Sequence, residues 1–242
     1  MWATFCIYGL TLLWSLIALP LGYMVVLLYF VTKSTVVQNW LHWMSCQYGK
    51  VFLCILTPWV HVCVNDRTAL KRQNPCIVIA NHQSILDLFL FAAQEHTRFV
   101  YVLKAWPLKK LFFFTPFMWA LNYVPVENQS AENIEQKCQE RLQQGVSLVF
   151  FPEGTRSKGL GRFHAGAFRL ACRTNTVILP LVIENSASIV PKGSLLFHRG
   201  TIRLHFLQPL HPKDFAAFTL PHRAMLKACR QRYQQYLPMR FS

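Results

Sequence analysis

Residues 151–157 read Phe-Pro-Glu-Gly-Thr-Arg-Ser (FPEGTRS), and they follow an apolar, β-branched run at 146–151 with the composition of a buried strand. The switch from apolar run to polar loop puts Glu153, Gly154, Thr155 and Arg156 at the carboxyl end of that strand. In open α/β sheets this edge is where ligands bind. Arg156 contributes a planar guanidinium, the group best shaped to grip a phosphate through two parallel hydrogen bonds. Taken alone, the loop fits an ordinary strand-to-helix connection carrying a Glu–Arg surface pair. A second motif, at 81–87, shifts the reading.

Working outward, short β-branched runs at 59–64, 76–80, 98–103, 123–126, 177–183 and 201–207 read as further strands. Between them, 85–94, 130–144, 165–173 and 221–236 read as helices. Ser130 opens the second of these with Glu132 in its first turn, and Gly145 closes it. Pro221 takes the first position of the last helix. Strands alternating with helices predict an α/β fold with a central, mostly buried sheet flanked by helices, over residues 59–242.

Residues 1–58 differ in character. No charged residue occurs from 2 to 31, and thirty helical residues extend about 45 Å against a hydrocarbon core of about 30 Å. Pro20 and Gly22 interrupt the run, so it either spans once with tilt or bends back within one leaflet. The segment 36–56 repeats apolar residues at helical spacing but carries Gln38, Asn39, His42, Gln47 and Lys50, which predicts an amphipathic helix partly in the membrane. The predicted organisation is therefore a membrane anchor over 1–58 and one catalytic-sized domain over 59–242.

Composition agrees. Hydrophobic residues make up 53% of the 242-residue chain and charged residues only 14%, below the roughly 25% of soluble domains. Twenty-five Lys and Arg against ten Asp and Glu give a net charge of +15. Positive charge accompanied by long apolar runs fits anionic membrane lipid, not nucleic acid, because the basic residues form neither an aromatic RNA-binding pattern nor a helix-turn-helix. The eight Cys form no C-x-x-C pair and no zinc spacing, and read as reduced thiols facing the cytoplasm; no metal site is expected.

The motif at 81–87 is Asn81-His82-Gln83-Ser84-Ile85-Leu86-Asp87, between a strand and a helix. On a straight helix, residues five apart lie about 140° apart and do not meet. They meet if His82 sits on the turn before the helix and Asp87 in its first turn, a break that Ser84 supplies as an N-cap. A neutral imidazole so placed takes a proton from a hydroxyl, and the carboxylate fixes its tautomer and stabilises the imidazolium. The competing reading makes Ser84-x-x-Asp87 a capping box with His82 a mere turn residue. Both readings stay open on this motif alone.

The two motifs together, N-H-x-x-x-x-D on a strand-to-helix turn and FPEGTRS about seventy residues later, resemble the glycerolipid acyltransferase family, in particular bacterial-type 1-acylglycerol-3-phosphate acyltransferases. The resemblance covers roughly residues 76–191. It implies a membrane-bound O-acyltransferase that moves a fatty acyl group from acyl-CoA or acyl carrier protein to the free hydroxyl of lysophosphatidic acid, without a cofactor. It implies His82 as general base, Asp87 as its orienting carboxylate, and Glu153, Gly154, Thr155 and Arg156 with Lys104 as substrate-binding residues. A cell-membrane location with the site on the cytoplasmic face follows, as does docking of acyl carrier protein if that is the donor. The segment 102–128 is similar to the family's intermediate box through Lys104, Pro116 and Trp119–Leu121, and 177–183 with Pro180 to its fourth box. Two positions depart: Asn122 stands where the family has Gly, and Glu127-Asn128 replaces an Asp-Arg-like end. The missing arginine removes a phosphate donor, which leaves another lysolipid, such as a lyso-ornithine lipid, as an alternative acceptor. A non-catalytic membrane-binding relative and a thioester hydrolase are the readings from other classes.

Overall fold

The computed structural model of the protein describes residues 1–91, 94, 98–104, 112–156 and 160–236. The expected helix residues 92 and 93, His96, Lys109 and Lys110 at the head of the apolar run 106–120, and Ser157, Lys158 and Gly159 of the basic loop lie outside the described residues.

Two long helices come first, α1 (Trp2–Thr32) and α2 (Thr35–Leu56). Then follow β1 (Val60–Val64), α3 (Ala69–Arg72), β2 (Ile77–Ala80), α4 (Asp87–Leu90) and β3 (Phe99–Leu103). A 3₁₀ turn (Phe112–Phe114) leads into α5 (Thr115–Ala120) and the two-residue β4 (Val124–Pro125). The remainder is α6 (Ala131–Gln143), β5 (Ser147–Phe150), α7 (Gly166–Thr174), β6 (Ile178–Glu184), α8 (Ser186–Ile189), β7 (Gly200–Phe206) and α9 (Pro221–Tyr236).

The strands form one seven-stranded sheet in the order β1-β7-β6-β2-β5-β3-β4. Every pairing is parallel except β6 with β7. The fold is the expected α/β arrangement, with β2 and β5 at its centre. β2 is Ile-Val-Ile-Ala with all four side chains fully buried, the continuous apolar run that a strand covered on both faces requires.

Because strand side chains alternate, the sheet feeds two cores. Val78, Ala80, Val149 and Leu181 pack with Ile7 of α1, Phe52 and Leu56 of α2, and Leu90 of α4. Ile77, Ile79, Leu148 and Val182 pack on the opposite face with Cys138 and Leu142 of α6, Phe168 and Ala171 of α7, and Met225, Cys229 and Tyr233 of α9. The two apolar helices and α9 are thus separated by the whole thickness of the sheet.

Helix α1 runs unbroken through Pro20 and Gly22. Gly22 has a packing reason: a Cβ there would lie 2.5 Å from the Phe117 ring of α5. Around that approach Val26, Leu41, Ala120 and Leu121 form a third, smaller core.

Some local expectations need correction. The helix read over 85–94 is described only as the single turn Asp87–Leu90, since residues 84–86 form a turn first. The short elements α3 and α8 carry too little periodicity for a sequence reading to find. Ser130 caps α6 as expected, its hydroxyl accepting from the Asn133 N–H at 3.2 Å. All eight cysteines are free.

Tyr233 closes the sheet from α9. Its hydroxyl lies 2.6 Å from the carbonyl of Ile79 and 2.8 Å from that of Leu181, and accepts from the Leu181 N–H at 3.2 Å. Tyr233 is fully buried, so Tyr233→Phe removes these buried hydrogen bonds and admits no water in their place. We predict a loss of about 1–3 kcal/mol of unfolding free energy, checked by denaturant titration of the detergent-solubilised protein.

Candidate active site

Strand β2 ends at Ala80, and the chain then turns sharply before α4. Asn81 fixes the turn. Its amide accepts from the Ile183 N–H at 2.7 Å and donates to the Ile183 carbonyl at 2.8 Å, so a side chain extends the β2–β6 ladder beyond the strand. His82 therefore leaves the sheet with a fixed aim. Its Nδ1 lies 2.8 Å from Oδ2 of Asp87, the first residue of α4. That Oδ2 also accepts the N–H groups of Gln83 at 2.7 Å and Ser84 at 2.9 Å. The helical objection to a His–Asp contact five residues apart is met because the intervening residues are a turn.

The capping-box reading holds by half. Asp87 reaches back to the Ser84 N–H, but the Ser84 hydroxyl donates to the Val190 carbonyl at 2.8 Å and does not cap α4. Ser84 therefore anchors the turn to the segment after α8.

The loop after β5 closes over this turn. Phe151 stacks on the His82 ring at a centroid distance of 4.3 Å and 28° between planes. Glu153 is buried, and its two oxygens face backbone: Oε1 accepts from the His82 N–H at 3.4 Å and Oε2 from the Gly161 N–H at 2.8 Å. Gly154 adopts φ +66°, the left-handed region that favours glycine, and a Cβ there would meet His164 at 3.7 Å and Lys104 at 4.0 Å. His82, Lys104, Glu153, Gly154, Thr155 and Arg156 all line one cleft of about 690 Å³, with Asp87 behind the wall and inaccessible to solvent.

The acyltransferase family profile matches residues 61–184, just over half of the chain. The chain belongs to the acyltransferase family. Among curated relatives, the chloroplast 1-acyl-sn-glycerol-3-phosphate acyltransferase of Arabidopsis thaliana is 32% identical over 148 residues, covering 57% of this chain and 40% of that protein. The 1-acyl-sn-glycerol-3-phosphate acyltransferase of Helicobacter pylori is 29% identical over 149 residues, covering 59% of this chain and 62% of that protein. The matches thus span less than two thirds of those relatives' lengths. The crystal structure of the 1-acyl-sn-glycerophosphate acyltransferase PlsC from Thermotoga maritima superposes with a TM-score of 0.73 at 22% identity, covering 98% of this chain and 96% of that one. The fold is shared from end to end.

Several lining groups of the acyltransferase cleft were not singled out from sequence. Arg169 and Arg173 of α7, Lys192, and Glu132 and Glu135 of α6 all face it. Arg173 pairs with Glu135 at 2.9 Å, and the Lys192 amine donates to the Arg156 carbonyl at 3.2 Å. Glu132 is held below the usual carboxylate range by hydrogen bonds from its own backbone N–H and from the Ser130 hydroxyl. His164, which sequence reading leaves on a solvated loop, is drawn to the cleft because its N–H donates to the Pro152 carbonyl at 2.9 Å. Cys138 also lines the cleft, but burial first and then Glu135 push its thiol up to about 12. It stays protonated at neutral pH and is no nucleophile.

The departures from the family pattern also have a place. Asn122 sits at φ +58°, and Asn is among the few side chains that tolerate the left-handed region where the family has glycine. Asn128 adopts φ +58° as well, at the position of the absent arginine.

Glu153 joins the turn at His82 to the segment at Gly161. We predict that Glu153→Gln, which faces an amide N–H₂ toward a backbone N–H, lowers the melting temperature and speeds hydrogen exchange at the Gly161 amide. Unchanged exchange at Gly161 would refute the clamp.

Proposed function

We propose that the protein is a 1-acylglycerol-3-phosphate O-acyltransferase, transferring a fatty acyl group from a thioester to the free hydroxyl of lysophosphatidic acid. One observation carries the reading: an imidazole held at 2.8 Å by a buried carboxylate opens onto the same cleft as Arg156. Nδ1 of His82 is occupied by Asp87, so Nε2 is the nitrogen left for the substrate. The bound hydroxyl gives its proton to Nε2 as its oxygen attacks the thioester carbon. The carbonyl oxygen gathers negative charge near the Lys104 ammonium, which with backbone N–H groups of the Gly154 turn is suited to stabilise it. Collapse breaks the carbon–sulfur bond, and the imidazolium proton goes to the departing thiolate. The thioester is already activated, so no protein nucleophile is required, in keeping with the protonated Cys138.

Arg156 and Lys192, with Arg169 on the same cleft, supply the donors for the acceptor's phosphate. They make up for the arginine missing at Asn128, which favours a phosphomonoester headgroup over an ornithine one. Either acyl-CoA or acyl carrier protein fits this site as donor.

The helices of residues 1–58 support membrane attachment. Helix α1 is the one helix among the described residues long and apolar enough to cross a bilayer. Yet it is tied to the α/β domain at both ends. The Phe197 N–H donates to the Thr4 hydroxyl at 3.1 Å and Tyr8 donates to the Leu195 carbonyl at 2.8 Å, while Tyr23 bonds the Phe113 carbonyl and Val26 enters the third core. Thr4 to Val26 is about 33 Å of helix. A helix bound along that length to the flank of the α/β domain lies in one leaflet and does not cross. Its free side, with Phe5, Leu12, Leu16, Met24, Leu27 and Val31 all more than 60% exposed, is what the lipid covers. Trp40, Trp43 and Trp119 are exposed beside it, at the depth where indoles favour headgroups.

We predict that His82→Ala lowers transfer from palmitoyl-CoA to lysophosphatidic acid by about 10²–10⁴-fold, and that Arg156→Ala chiefly raises KM for the acceptor. Phosphatidic acid formed by purified protein in mixed micelles, read by mass spectrometry against a panel of lysolipids, is the test. Equal turnover by wild type and His82→Ala would overturn the assignment, and preference for lyso-ornithine lipid would replace the acceptor. Free fatty acid released at the same rate without acceptor would make the protein a hydrolase.

A further inference from the structure

Behind the main cleft lies a second recess of about 420 Å³, lined by Arg162, Phe163, His164, Arg223, Leu226 and Arg230. Arg223 and Arg230 project from one face of α9, seven residues apart, and Arg162 comes from the segment that follows the FPEGTR loop. None of the three arginines forms an ion pair among the described residues. The Nε of Arg230 is buried and has no hydrogen-bond partner. Three guanidinium groups gathered without a counter-charge repel one another, and an anion bearing several charges relieves that repulsion. His164 lines both this recess and the main cleft, so the two adjoin.

The position in the fold selects the kind of anion. Helix α9 packs on the sheet face opposite α1 and α2. The recess therefore lies on the face away from the apolar helices, on the far side of His164 from the main cleft that takes the acceptor. A water-soluble ligand reaches it directly. The acyl donor must bring its thioester to His82 while its soluble end stays in water. Coenzyme A carries a 3′-phosphate and a diphosphate on an adenosine, joined to the thioester by a narrow neutral arm.

We propose that the Arg162–Arg223–Arg230 recess binds the phosphorylated nucleotide of acyl-CoA, with the neutral arm passing His164 into the main cleft. The donor then enters from the water side and the acceptor from the membrane side. This rests on the acyltransferase reading, and the test separates the two. Coenzyme A without an acyl chain is titrated calorimetrically into purified full-length wild type, the Arg223→Ala/Arg230→Ala double variant and the corresponding double Lys variant. In parallel, KM is measured with palmitoyl-CoA and with palmitoyl-phosphopantetheine, which lacks the adenosine bisphosphate portion. The expected result is at least tenfold weaker coenzyme A binding and a tenfold higher KM for palmitoyl-CoA in the Ala variant. KM for palmitoyl-phosphopantetheine should change less than twofold, with an unaltered melting temperature and partial recovery in the Lys variant. Coenzyme A affinity equal in wild type and Ala variant, or an equal rise in KM for both donors, would overturn the proposal. Absence of coenzyme A binding by a wild type that accepts acyl carrier protein would also overturn it. If no donor is turned over at all, the acyltransferase reading fails, while the titration still decides the recess.

Discussion

Asp87 has no solvent exposure, and an ionised carboxylate buried without partners costs several kcal/mol. The structure meets that cost locally. One oxygen takes two backbone N–H groups from the turn that precedes its own helix, together with Nδ1 of His82. The turn can close only if residues 82–86 stay out of the helix, and this sets where α4 begins. Strand end, turn and helix start are thus fixed by one charge.

That turn hangs from the sheet at two further points. Asn81 bonds both backbone groups of Ile183, on the β6 side. Glu153 bonds the His82 N–H from the β5 side. The parallel neighbours β6 and β5 flank β2, so the imidazole is held from left and right by the two strands that also sandwich its own. Both ties are polar and buried, where removing one partner costs more than the bond itself contributes. Such an arrangement suits a group whose aim must not drift by an ångström.

The sheet was legible in sequence because its strands are buried on both faces and so read as unbroken apolar runs: Ile77–Ala80 and Ile178–Glu184 are the clearest. The long apolar helix α1 stood out through the absence of charge from 2 to 31. The pairing of His82 with Asp87 was one of two readings the motif left open, since residues five apart can meet across a break in the helix. What sequence could not give is contact between distant segments. Glu153 reads as one more polar residue of a ligand loop, yet its oxygens serve Gly161 and His82. Gly161 looks like flexible punctuation, whereas a Cβ there would lie 2.7 Å from the Glu153 carboxylate. His164 looks solvated for the same reason: only the fold shows the 161–164 segment turning back under the FPEGTR loop. Tyr233, fifty residues from either carbonyl it approaches or more, left no local trace.

The way Asp87 is satisfied bears on the chemistry. All three of its donors converge on Oδ2, while Oδ1 is buried and has no partner among the described residues. A carboxylate saturated with hydrogen bonds has its charge already dispersed and gains little when a neighbour becomes positive. One left short of donors keeps more of its charge undispersed, and it is stabilised most when His82 turns into an imidazolium. On the proposed acyl transfer, that cation exists as the hydroxyl attacks and not before. An interaction stronger at that moment than in the resting site lowers the barrier, whereas one equally strong throughout only tightens the ground state. The bare oxygen of Asp87 therefore reads as a consequence of the task its partner performs, and adding a donor beside it should slow turnover even while it makes the fold more stable.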